Sequence, residues 1–184
     1  MGLELAGINT TSSGHVRVNE RLETSAPGVW AMGDCAGSPH FTHISFDDFR
    51  IVRDNLAGGK RSTVGRQIPS CTFIDPELAR VGLNETEARR QGIPYRLTKI
   101  SMLAVLRTRT LGETRGFLKA LISDDDRILG FTGFGVGSGD LLPAVQLAMS
   151  VGLPYTAIGA LTIAHPTFSE GLQSLFSASP VRAT

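Results

Sequence analysis

The 184-residue sequence holds only two cysteines, one tryptophan and two tyrosines, and its 18 basic and 17 acidic residues leave a net charge of just +1. So even a balance gives no electrostatic reason to expect nucleic acid or an anionic membrane surface as a partner. The two cysteines, Cys35 and Cys71, have 35 residues between them and form no C-x-x-C. They are expected to act as small apolar residues in a reducing, cytoplasmic compartment. No positively charged start followed by an apolar core marks a signal peptide. An unbroken membrane span is lacking too. Leu141 to Ala164 carries no charged side chain over 24 residues, but Pro143, Gly152, Pro154 and Gly159 divide it. The break at Gly152-Leu153-Pro154 predicts two buried helices rather than one span. The length allows one domain, or one domain and a piece of another.

What is present alternates short strands and helices. His15 to Val18 and Val29 to Met32 have strand composition, with Gly33-Asp34 ending the second. Ile44 to Leu56 spaces its apolar residues along a helical face, and Gly58-Gly59 stops it. The polar, glycine-rich stretch that follows predicts a domain boundary, giving domains 1–65 and 66–184. In the second, Cys71 to Ile74 and Tyr95 to Ser101 are predicted as strands. Asn84-Glu85-Thr86-Glu87 opens a capped helix that runs to about Gln91. Gly116 to Ser123 and Ile128 to Val136, joined through Asp124-Asp125-Asp126-Arg127, predict a β-hairpin with a solvated turn. Helices are predicted over Leu141–Val151, from about Thr156, and over Phe168–Phe176, with Asp140 as N-cap or first-turn acid of the first. The expected fold is α+β, a mainly antiparallel sheet with helices packed on it.

His165-Pro166-Thr167-Phe168-Ser169-Glu170 is the segment richest in chemistry. Histidine titrates near neutrality, and a carboxylate bonded to one ring nitrogen fixes its tautomer, so the two can work as a proton-transfer pair. Proline pushes its predecessor out of the helical region, which holds His165 outside the helix that follows. The same residues admit a structural reading: Thr167-x-x-Glu170 is also a capping box. His40-x-x-His43 has no third ligand at a suitable spacing for metal, and none is expected.

Two segments together resemble the pyridine nucleotide-disulfide oxidoreductases, the family of glutathione reductase, lipoamide dehydrogenase and mercuric reductase. Thr24 to Asp34, TSAPGVWAMGD, resembles the family's second flavin motif. Ala164 to Glu170, AHPTFSE, resembles its histidine–glutamate motif about 130 residues later. Phe41 to Val52 looks most like the mercuric-reductase-like branch, in particular the reactive chlorine resistance flavoproteins. The sequence from Ser177 to Thr184 has no vicinal cysteine pair, which disfavours mercury reduction.

The resemblance implies the dimerisation domain of such an enzyme, preceded by a remnant of an α/β FAD-binding domain. It implies that Asp34 accepts a hydrogen bond from the flavin's ribityl chain. Thr42, His43 and Ile44 would begin a helix whose N–H groups face the isoalloxazine. His165 and Glu170 would act on the partner subunit's redox disulfide. The family's other parts are missing: no strand–G-x-G-x-x-G–helix cradle, no redox disulfide and no nicotinamide domain. Gly133 to Gly139 fits the cradle pattern in neither register. FAD and NAD(P)H are therefore expected in the parent enzyme, with no flavin held tightly by this chain alone, and the expected partners are a second copy of the chain and the parent's flavin domain. The alternative is a stand-alone dimerisation or interaction module that performs no chemistry.

Overall fold

The computed structural model describes residues 2–182, which divide between Ile68 and Pro69 into two compact units. The first contains a 3-10 turn at Leu3–Ala6, another at Gly33–Ala36, and helix α1, Thr42–Leu56. Ile44 and Ile51 of α1 are buried together with Leu22 and Ala31. The two strands predicted here do not form. Among the described residues, Val16 and Trp30 make only isolated bridges, to Thr10 and Glu23. A two-stranded ribbon without a third strand or a covering helix is marginal in water.

The second unit is built on one six-stranded antiparallel sheet. Its strands are β1 (Ser70–Thr72), β2 (Leu78–Gly82), β3 (Arg96–Ser101), β4 (Phe117–Ile122), β5 (Ile128–Phe134) and β6 (Val181–Arg182), in spatial order β1-β2-β5-β4-β3-β6. Register explains the core. Val81, Phe131, Ala120 and Thr98 face one another across four strands and all are buried. Because side chains alternate between faces, that row fixes which face carries the main core.

Five helices follow the sheet's connections: α2 (Glu85–Arg90), α3 (Leu106–Leu111), α4 (Ser138–Ser150), α5 (Thr156–Gly159) and α6 (Glu170–Ser177). Leu141, Leu142 and Val145 of α4 join Leu172, Leu175 and Phe176 of α6 in the main core cluster. A second cluster gathers Ala88, Tyr95 and Leu121. Asn84 caps α2 as predicted, accepting from Glu87 N–H while the Glu87 carboxylate accepts from Asn84 N–H.

Four elements differ from expectation. Helix α4 begins three residues early, at Ser138, after Gly137 in the left-handed region, so Asp140 is a first-turn acid and not the N-cap. Pro143 lies within α4 and does not end it. Strands β2 and β6 and helix α3 were not predicted, since Leu-Ala-Arg in β2 also suits a helix and the other two are short. Among the described residues no helix is long and apolar enough to cross a membrane.

Candidate active site

Helix α6 carries the acidic member of the histidine–glutamate pair and is held close to the sheet. Leu172, Leu175 and Phe176 are buried, and Thr98 on β3 donates its hydroxyl to the Leu175 carbonyl at 2.9 Å. Gly171 lets the helix approach closely, because a Cβ there would stand 2.7 Å from Leu118 Cδ1 and 2.9 Å from Val105 Cγ2. Glu170 is the first residue of α6. Its position is therefore set by the core beneath it.

The His165 Nδ1 and Glu170 Oε1 atoms are 2.8 Å apart. The second carboxylate oxygen, Oε2, accepts from Thr167 N–H, also at 2.8 Å. Half of the capping box is thus present, but the Thr167 hydroxyl turns away and donates to the Ala164 carbonyl at 2.8 Å. One carboxylate serves both readings. The Thr167 amide, and after it the His165 ring, hold the Glu170 carboxyl below the usual glutamate range. An ionised carboxylate only accepts, so Nδ1 must carry the proton, which in a neutral ring leaves the lone pair on Nε2. The His165 side chain is 63% exposed, whereas that of Glu170 is 21% exposed. This division leaves one ring nitrogen open to a reactant and the orienting acid sheltered. The His165–Pro166 peptide is cis. Phe168 packs over Gly137, where a Cβ would meet the ring at 2.6 Å.

The other sequence-derived candidates belong to the first unit. Asp34 lies exposed in the Gly33–Ala36 turn, and α1 opens at Thr42 with no side-chain cap. Thr42 and His43 are exposed, and the His43 ring stacks on Phe41 at a centroid distance of 5.2 Å. Ile44 is different. Its side chain is buried and its N–H donates to Phe41 carbonyl, so it builds the helix start and the core. Reading the sequence missed Asp48, which is fully buried and ties the turn to α1. Its Oδ2 accepts from Gly33 N–H at 2.8 Å and from the Ser38 hydroxyl at 2.6 Å, while Oδ1 pairs with Arg66. The available signal was an acid at the position where α1 should face inward. Among the described residues, no three His, Cys, Asp or Glu side chains group as a metal site. The His40 ring instead meets His15, at 6.2 Å.

The family description "pyridine nucleotide-disulphide oxidoreductase, dimerisation domain" matches residues 68–176, and "pyridine nucleotide-disulphide oxidoreductase" matches residues 1–48. The chain belongs to the pyridine nucleotide-disulphide oxidoreductase family. Similar members include the probable pyridine nucleotide-disulfide oxidoreductase RclA of Escherichia coli, 42% identical over 95% of this chain and 40% of its own length. The dihydrolipoyl dehydrogenase of Thermus scotoductus is 38% identical over 94% of this chain and 37% of its own. A solved structure described as the HOCl-induced flavoprotein disulfide reductase RclA from Escherichia coli superposes with a TM-score of 0.91 at 41% identity, covering 96% of this chain and 41% of that one. The chain therefore spans about 40% of the length of the oxidoreductases it matches. Within the family, its six-stranded sheet with α4 and α6 is the fold of the dimerisation domain.

Proposed function

We propose that this chain is the C-terminal portion of an FAD-dependent NAD(P)H:disulfide or metal oxidoreductase, to which it supplies the dimer interface and a histidine–glutamate acid/base pair. The observation that carries the reading is the 2.8 Å contact between His165 Nδ1 and Glu170 Oε1, on a histidine side chain that is 63% exposed. Glu170 would hold the tautomer. His165 Nε2 would take a proton from an attacking thiol and return it to a departing one, keeping the thiol of a partner subunit reactive as thiolate.

Residues 1–65 would be the remnant of the flavin domain and residues 66–184 the interface domain. The flavin would supply the electron pair taken from NAD(P)H. In its cradle Asp34 would accept a ribityl hydroxyl, and the α1 start at Thr42 and His43 would face the isoalloxazine with its partial positive charge. The exposed carboxylate and the helix start without a side-chain cap fit a ligand that offers hydroxyl donors and an electron-rich edge. Ile44 would contribute through its place in the helix and not through its side chain.

The test joins this chain to the flavin and nicotinamide portions of Escherichia coli RclA and follows NAD(P)H oxidation with a disulfide acceptor. The chimera should turn over, and His165→Ala should lower kcat about 10²-fold to 10⁴-fold. A His165→Ala chimera as active as its parent, with flavin bound and dimer intact, would remove the pair from the mechanism.

A further inference from the structure

One face of α6 forms a ladder with the segment that delivers His165. Ser177 Oγ donates to Gly159 carbonyl at 3.2 Å, and Gln173 Nε2 donates to Leu161 carbonyl at 2.6 Å. Glu170 completes the series with His165 Nδ1 and Thr167 N–H, each at 2.8 Å. Positions 170, 173 and 177 are three and four apart, so they stack on one side of a helix. Their partners ascend in number as these descend, so the segment runs antiparallel to α6.

The rungs matter because the segment has little else to hold it. Among the described residues, the backbone amides of Thr162, Ile163, Ala164 and His165 donate to no protein acceptor. Gly159 starts the segment flat against the helix, since a Cβ there would come 2.6 Å from Phe176 carbonyl. From that anchor to Ala164, whose carbonyl accepts from the Thr167 hydroxyl at 2.8 Å, the remaining rung is Gln173. Its chemistry suits the place. An amide reaches a carbonyl as a neutral donor, whereas a lysine three residues from Glu170 would compete with His165 for the carboxylate, and a glutamate would repel both oxygens.

We propose that Gln173 is a positioning residue for His165. By pinning the Leu161 carbonyl four residues upstream, it keeps the ring against Glu170 in the Nδ1–H tautomer, with the lone pair on Nε2. The inference rests on the acid/base reading of His165 and Glu170 and deepens it. A net hydrogen bond of ordinary strength corresponds to about a fivefold preference for the docked ring over a detached one.

The test is ring ¹⁵N NMR of the full 184-residue chain, with histidine labelled and the solution alkaline enough to keep the rings neutral. Wild type should show the separated nitrogen shifts of one tautomer at His165. Gln173→Met and the isosteric Gln173→Glu should both move those shifts toward the average of two tautomers, while Ser177→Ala moves them less. Gln173→Glu keeps the shape of the side chain but exchanges its donor for a charged acceptor, so Gln173→Met, which adds no charge, is the primary variant and Gln173→Glu serves if the Met variant does not fold. Wild-type shifts in a folded Gln173 variant would overturn the proposal. If Glu170→Gln alone collapses the tautomer preference, the pair survives and only the role of Gln173 fails. If wild type already averages both tautomers, the pair itself fails and the proposal with it.

Discussion

Gly171→Ala decides whether α6 is a rigid mount for the candidate site, because two effects of opposite sign compete there. Replacing glycine by alanine inside a helix favours folding by up to about 1 kcal/mol, through reduced freedom of the unfolded chain. Against this, the added methyl would lie 2.7 Å from Leu118 Cδ1 and 2.9 Å from Val105 Cγ2. The closer contact is about 0.7 Å short of ordinary van der Waals distance. Leu118 is 0% and Val105 2% exposed, so neither can swing into solvent, and both pack in the main core. Overpacking of this kind costs about 1–3 kcal/mol. With neither Leu118 nor Val105 able to give way the clash should win, for a net loss of up to about 2 kcal/mol. For a chain of this size that lowers Tm by up to roughly 8 °C. Thermal unfolding followed by far-ultraviolet circular dichroism reads the change. Ser174→Ala, on the exposed side of α6, is the control and should stay within about 0.5 kcal/mol of wild type. A Gly171→Ala protein as stable as wild type, or more so, would refute the reasoning: α6 would then float on the sheet, and the core would not fix Glu170.

Two further outcomes follow from the titratable groups. Burial first, and then the hydrogen bond and charge of Glu77, push the Cys71 thiol up to about 11. Near pH 8 it should be thiolate in only about one part in a thousand. Alkylation should therefore be dominated by exposed Cys35, and a rapid phase that persists in Cys35→Ser would contradict this. The Glu170 carboxyl is held below its ordinary value of 4.5 by the Thr167 amide and by His165. A depressed carboxylate contributes stability above its unfolded value, and that contribution is lost as pH falls through the folded one. The Thr167 amide resonance should accordingly shift with a titration midpoint below 4.5; a midpoint above 4.5 would show that the tether is weaker than the geometry implies.

Local chemistry made much of the fold legible. Asn84 and Glu87 met as a capping box because that motif is closed within four residues. The hairpin of β4 and β5 followed from alternation on either side of a polar turn. The α4–α5 break followed from glycine and proline at 152 and 154. Strand β2 escaped notice because its residues have no strong strand preference, and pairing with β1 and β5 alone makes it extended. The two strands predicted before α1 failed for the converse reason: a local preference for extension forms no ladder without neighbours to accept it.

The same division holds at the candidate site. The spacing from His165 through Pro166 to Glu170 determined that an imidazole and a carboxylate would lie close together, since five residues around a helix start leave them little room to separate. The capping-box spacing likewise foresaw that Glu170 serves the Thr167 amide. Tertiary structure decided which nitrogen meets which oxygen, and that Gln173 and Ser177 hold the approaching chain. The last two contacts join residues whose separation in sequence is closed only when α5 and α6 pack together. The buried Asp48 and the close approach allowed by Gly171 are likewise visible only after packing, because both depend on what stands opposite them and not on what precedes them.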